Sequence, residues 1–157
     1  MIKLNRGDIM KKIFIYYSLS GNGDVVADYL KDECYDIRKV NTLEKLPKNN
    51  ILRIIIGGYK AMINYKDKLI DFDNNIEKYD EIVIGSPIWN NRLSSPINSV
   101  LESINLDGKK VTFILYSGSG KDNKAMELIK NKYPNSKIIN IQEPKKNIEE
   151  LEKIKVI

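Results

Sequence analysis

Apolar residues occupy consecutive positions in four short stretches, and this pattern restricts the fold more than any other feature of the sequence. The stretches fall within residues 12–17, 82–85, 110–116 and 136–141. A strand with one face in water alternates apolar and polar side chains, whereas a strand that is apolar throughout must be covered on both faces. Between these stretches, apolar residues recur at helical spacing. Val25, Val26, Tyr29 and Leu30 form one stripe, and Ala125, Leu128 and Ile129 form another. Ile148, Leu151 and Ile154 form a third, within a closing helix expected over residues 147–155. A further helix starts near Pro96, which is tolerated in a first turn, and ends around Ile104. Residues 35–40 read as another strand. Strands buried on both faces and alternating with helices predict an α/β protein, a three-layer sandwich with a parallel five-stranded sheet in the middle.

The stretch from 51 to 69 is less defined. Residues 51–56 are apolar and largely β-branched, which reads as a short strand before Gly57-Gly58. Residues 61–69 read as a helix over the sheet edge. The 157 residues suffice for one domain with a sizeable core, preceded by a short lead over residues 1–11. The first residues lack the apolar core of a secretion signal, and no apolar run is long enough to cross a bilayer. A cytoplasmic location without membrane insertion is therefore expected. Histidine is absent, which excludes histidine general bases and histidine triads. The single cysteine, Cys34, cannot form an internal disulfide, and it reads as structural. The net charge of +5 comes from 26 basic and 21 acidic residues interspersed along the chain. That modest excess predicts no nucleic-acid binding. It suits an acidic partner or an anionic cofactor.

Three punctuated loops each follow a strand. Right-handed crossovers bring the carboxyl ends of parallel strands to one edge, so these loops are expected to share a rim. The first is Ser18-Leu19-Ser20-Gly21-Asn22-Gly23, with a helix starting near Asp24. Its hydroxyls, its flexible glycines and the unpaired amides of a helix start suit a phosphate. It contains no Lys or Arg, so the cradle is expected to be neutral and better suited to one phosphate than to three. A plain capped turn would use the same residues. The second loop is Ser86-Pro87-Ile88-Trp89-Asn90-Asn91-Arg92, which holds the only tryptophan. Trp89 sits among polar neighbours, where it can stack on a planar ring or plug the sheet edge. The third, Ser117-Gly118-Ser119-Gly120-Lys121, can present backbone amides to a ring edge or serve as a plain connection.

Together these loops resemble those of the flavodoxin family. The first resembles its phosphate loop. Residues 79–89, Tyr-Asp-Glu-Ile-Val-Ile-Gly-Ser-Pro-Ile-Trp, resemble its middle strand and flavin-flanking loop. Asp107-Gly108-Lys109-Lys110-Val111 with Ser117-Gly118-Ser119-Gly120 resembles its fourth strand and third loop. The resemblance runs from about Lys12 to Ile154 and is closest to the short-chain branch. It implies the strand order 2-1-3-4-5 and FMN as cofactor. Ser18, Leu19, Ser20, Gly21, Asn22 and Gly23 would take the phosphate. Ser86, Pro87, Ile88, Trp89 and Asn90 would flank the ring, and Ser117, Gly118, Ser119 and Gly120 would meet its pyrimidine end. The implied role is single-electron transfer between redox partner proteins by a monomer or weak dimer. The alternative is an FMN-containing reductase of quinones or other acceptors that uses NADH or NADPH. A domain that keeps the fold without flavin is a third reading. Two departures stand out. Gly23 replaces the usual threonine, and no aromatic lies within the third loop. Tyr116 is the nearest substitute, and Tyr59 a remote one.

Overall fold

The computed structural model describes residues 9–157, so most of the expected lead lies outside the described residues. The elements in chain order are β1 (Lys12–Tyr16), α1 (Asn22–Asp32), β2 (Asp36–Lys39), α2 (Asn50–Met62), β3 (Glu81–Trp89) and β4 (Arg92–Leu93). They continue with α3 (Ser95–Ser103), β5 (Lys110–Ser117), α4 (Asn123–Lys132), β6 (Lys137–Gln142) and a closing 3-10 helix (Ile148–Val156). Five strands pair in the order β2-β1-β3-β5-β6, all parallel, and β4 folds back antiparallel on the tip of β3. Counting only the five parallel strands, this is the expected 2-1-3-4-5 order.

The consecutive apolar residues have the predicted cause. Along β1, Ile13, Ile15 and Tyr17 join one buried cluster with Ile97, Val100, Ala125 and Ile129 of α3 and α4. Phe14 and Tyr16 join the other, with Val26, Ala27 and Leu30 of α1 and Leu151 and Ile154 of the closing helix. Each strand residue therefore serves one of two apolar layers. Phe14 and Tyr16 stack in parallel, with ring centroids 4.9 Å apart. The space they occupy lies over Gly85 of the neighbouring strand. A Cβ there would stand 2.5 Å from the Phe14 ring and 2.9 Å from Tyr16 Cβ.

Two expectations are corrected. Residues 51–56 form the first half of α2, not a strand, and the helix expected over 61–69 contributes only Ala61 and Met62 to it. Asn49 starts α2: its side chain accepts the backbone N–H of Ile51 at 3.0 Å and of Leu52 at 3.1 Å. That cap, with burial of Gly57 and Ala61, outweighs the strand preference of a β-branched run. The last helix is 3-10 in form. Cys34 is exposed and closes α1 with φ 65°, a conformation few side chains adopt.

The Gly85 packing gives a direct test. Gly85→Ala is expected to lower stability by about 1–3 kcal/mol, as overpacking does. Phe14→Leu in the same chain should recover part of that loss. Urea denaturation of the two variants and the parent measures both effects.

Candidate functional site

β1, β3 and β5 are neighbours in the sheet, so the loops at their carboxyl ends lie side by side. The chain leaves β1 towards β2 on one side and continues from β3 towards β6 on the other, which makes this edge the topological switch point.

In the first loop, Gly21 takes φ 94° as the residue before α1. Ser18 Oγ accepts two backbone N–H groups, from Gly21 at 3.2 Å and Gly23 at 3.1 Å, and so fixes the curve of the loop. Among the described residues, the N–H groups of Ser20, Asn22 and Asp24 have no protein acceptor. They point to a first helical turn open to an anion. The expectation of a neutral cradle is corrected by Lys145, which follows β6. Its backbone N–H donates to Asn22 Oδ1 at 3.1 Å, and its ammonium donates to the Ser20 carbonyl at 3.2 Å. A Cβ on Gly21 would lie 3.2 Å from the Lys145 Nζ, so the cation lies directly against the loop. No local sequence signal could reveal it, because it lies 125 residues from Ser20.

The structure explains the missing threonine. A Cβ on Gly23 would come within 2.6 Å of Tyr116 Oη, 2.8 Å of the Tyr16 ring and 2.9 Å of Ser18 Cβ. Tyr116 is buried, and its hydroxyl donates to the Tyr17 carbonyl. Burial, with the nearby Tyr16 and Asp24, pushes the Tyr116 phenol well above its ordinary pKa, so it stays neutral. Tyr116 thus lies beneath the first loop and offers no face to a ligand over the third. Behind the loop, Tyr16 donates to Asp24 Oδ1 at 2.8 Å, and Lys39 donates to the same oxygen at 2.7 Å. Burial alone would raise the Asp24 carboxyl, but the bonds from Lys39 and Tyr16 outweigh it and hold the pKa below the ordinary value.

The second loop is more regular than the sequence suggests. β3 runs on through Pro87 to Trp89, and Asn90 and Asn91, with φ 49° and 58°, form a two-residue hairpin turn into β4. Positive φ at both central residues is the hairpin geometry that suits the strand twist, and Asn tolerates it. Pro87 is allowed because β1 has ended opposite Gly85. Ser86 is buried, and its Oγ accepts the Ser94 N–H at 3.0 Å, which clamps the base of the hairpin. Ile88 and Trp89 are half-buried and Asn90 is exposed. Trp89 meets the Tyr17 ring edge-on at 5.8 Å. α2 passes beside it, where a Cβ on Gly57 would sit 3.4 Å from the indole.

In the third loop, Ser117 Oγ accepts the Gly120 N–H at 3.0 Å and donates to Asp122 at 2.7 Å. Gln142 donates to the Gly118 carbonyl at 2.9 Å. Gly118 and Ser119 are exposed, and nothing lies within 4 Å of where a Gly118 Cβ would be. Leu19 and Ser20 are likewise exposed on the first loop. The rim therefore offers a turn of unpaired amides beside Lys145 at one end, a half-buried indole beside it and an open backbone stretch at the other end.

A family model described as flavodoxin matches residues 62–153, more than half of the chain. That span includes the second and third loops but not the first. A candidate flavoprotein from Bacteroides eggerthii shares the fold with a TM-score of 0.68 at 20% identity, over 83% of this chain and 85% of that one. A flavoprotein from Lactobacillus acidophilus, solved in complex with FMN, gives 0.65 at 20% identity, over 90% and 98%. No curated protein matches the sequence.

Two variants probe the first loop. Gly23→Ala should cost about 1–3 kcal/mol. In a Tyr116→Phe background, which removes the nearest atom, the cost should fall by at least about 0.5 kcal/mol. Asp24→Asn should cost about 0.5–1 kcal/mol at neutral pH, the scale of a half-exposed ion pair. The folded carboxyl titrates below the unfolded one, so its contribution is full above about pH 4 and is lost as pH falls through the folded pKa. Denaturation across pH should show the variant and parent converging at low pH.

Proposed function

The chain belongs to the flavodoxin family, and on that premise we propose that it binds FMN at the loop rim and passes single electrons between redox partner proteins. The first loop carries the reading. Free amides of Ser20, Asn22 and Asp24, hydroxyls on Ser18 and Ser20 and the Lys145 ammonium lie together at the first loop, a donor set that suits one phosphate monoester. Gly23 does not weaken this fit, because no side chain has room there and its backbone stays inside the loop. The Lactobacillus acidophilus flavoprotein of the same fold supports FMN as the ligand.

When bound, FMN supplies reversible electron uptake, and the protein supplies orientation and environment. Ser18 holds the loop curved, while Lys145 and the amides of the first α1 turn neutralise the phosphate. Trp89 and Ile88 offer apolar surface for the ring and keep water from it. Gly118 and Ser119 leave backbone groups free to meet polar ring atoms. No side chain is required to move a proton.

The burial of Tyr116 favours a second reading, the reductase. Without an aromatic over the third loop, that side of the rim is open to a second substrate such as a nicotinamide. One preparation tests both readings. The purified protein should bind FMN and quench its fluorescence. Lys145→Gln should weaken FMN binding about tenfold or more, the worth of a charge-assisted bond, and leave riboflavin binding unchanged. Failure to bind FMN ends the proposal. With FMN bound, a one-electron reductant should bleach the flavin in two steps while NADH and NADPH leave it oxidised. Rapid bleaching by either nicotinamide would replace the carrier reading with the reductase.

A further inference from the structure

α2 is built the wrong way round for a surface helix. Its charged Lys60 points inward, pairing at 2.8 Å with the buried Asp67, whose carboxylate also accepts from Ser95. Gly57 and Ala61 are the buried positions. Ile51, Leu52, Ile54, Ile55, Met62 and the following Ile63 are exposed, with Ile54 at 74% and Ile51 at 70%. A contiguous aliphatic face of this kind marks a contact surface.

The charge around it identifies the occupant. Residues 44–68 hold six basic residues (Lys45, Lys48, Arg53, Lys60, Lys66 and Lys68) and two acids, Glu44 and Asp67, both paired with Lys60, a net of +4. The rest of the chain holds twenty basic and nineteen acidic residues, so most of the excess of the protein lies in this segment. Two copies of such a surface repel each other, which argues against self-association. Lys45 and Lys48 before the helix, and Lys66 and Lys68 after it, are exposed. Apart from Tyr59, and Asn50 at its start, which accepts from Arg53 at 2.6 Å, the outward face is aliphatic and offers few groups to meet the hydrogen bonds of a specific protein interface, about one per 100–200 Å². A bilayer asks for none. Aliphatic side chains flanked by lysines suit the boundary between acyl chains and anionic headgroups. No helix among the described residues is long and apolar enough to cross a membrane, so the contact is at the surface.

We propose that the outer face of α2 docks the protein on an anionic lipid surface. The isoleucines enter the headgroup boundary, and Lys45, Lys48, Lys66 and Lys68 meet the phosphates. This docking does not depend on the cofactor.

Flotation with lipid vesicles tests it on the intact protein. Vesicles containing phosphatidylglycerol should carry the protein at about 0.1 M salt, phosphatidylcholine alone should carry little, and about 1 M salt should release it. Ile54→Asn with Ile55→Asn should lower partitioning at least about tenfold, since each methylene entering the acyl region is worth about fourfold. Lys45→Gln with Lys48→Gln should lower it about fivefold per lysine on anionic vesicles only. This second pair leaves α2 intact and keeps the test decisive if the first unfolds. Absence of flotation, or flotation that neither pair reduces, overturns the proposal. So does a dimer in analytical ultracentrifugation that Ile54→Asn with Ile55→Asn dissociates, which assigns the face to a second copy.

Discussion

The bond from the Tyr116 hydroxyl to the Tyr17 carbonyl fixes the shape of the rim. It joins the ends of two strands that do not pair with each other, β1 and β5, with β3 between them. A buried hydroxyl without a partner is costly, and so is a buried carbonyl, so each holds the other in place. The phenol fills the space where residue 23 would otherwise carry a side chain, and the first loop closes over it. Asp24 and Tyr16 secure the same turn from the β2 side through Lys39. The first loop is thus built on strand ends, which hold its backbone in one curve.

What was legible in the sequence follows from how local each cause is. β1, β3 and β5 could be read because both faces of each strand are buried, and burial on two faces leaves no alternation to misread. Once the strands are parallel, their loops must converge, and chain order alone gives this. α2 was misread for the opposite reason. Its buried positions are glycine and alanine, beside a half-buried, paired lysine, so its apolar residues trace the solvent face and mimic a β-branched strand. Lys145 was invisible because only the return of the chain from β6 brings it to Ser20. The Asn90-Asn91 turn had a local signal, paired asparagines after an apolar run, but Pro87 concealed that the strand reached so far.

The departures from the family pattern compensate one another. Without the threonine at 23 the loop lacks one hydroxyl, yet it has the Lys145 ammonium. A charge-assisted bond is worth about twice a neutral one. Tyr116, which excludes that side chain, is the aromatic that directly precedes the third loop. Packing the phenol under the first loop and leaving the third bare is one structural choice with two consequences: a tightly packed first loop and an exposed third loop.

α2 links the rim to the charged, aliphatic side of the molecule. Adjacent glycines inside a helix cost about 1 kcal/mol each relative to alanine, and β-branched isoleucines add to the deficit. Clearance does not demand these glycines. A Cβ on Gly57 would stand 3.4 Å from Trp89, and one on Gly58 would stand 3.5 Å from Asn90, both ordinary contacts. The helix therefore has little intrinsic stability. It is held by the Asn49 cap at its start and by the Lys60–Asp67 pair near its end. An occupant of its outer face would add a further restraint to these, because it would cover the isoleucines. The inner side of that helix touches Trp89 and Asn90. A restraint on α2 would therefore reach the indole and the hairpin turn at the rim through these contacts.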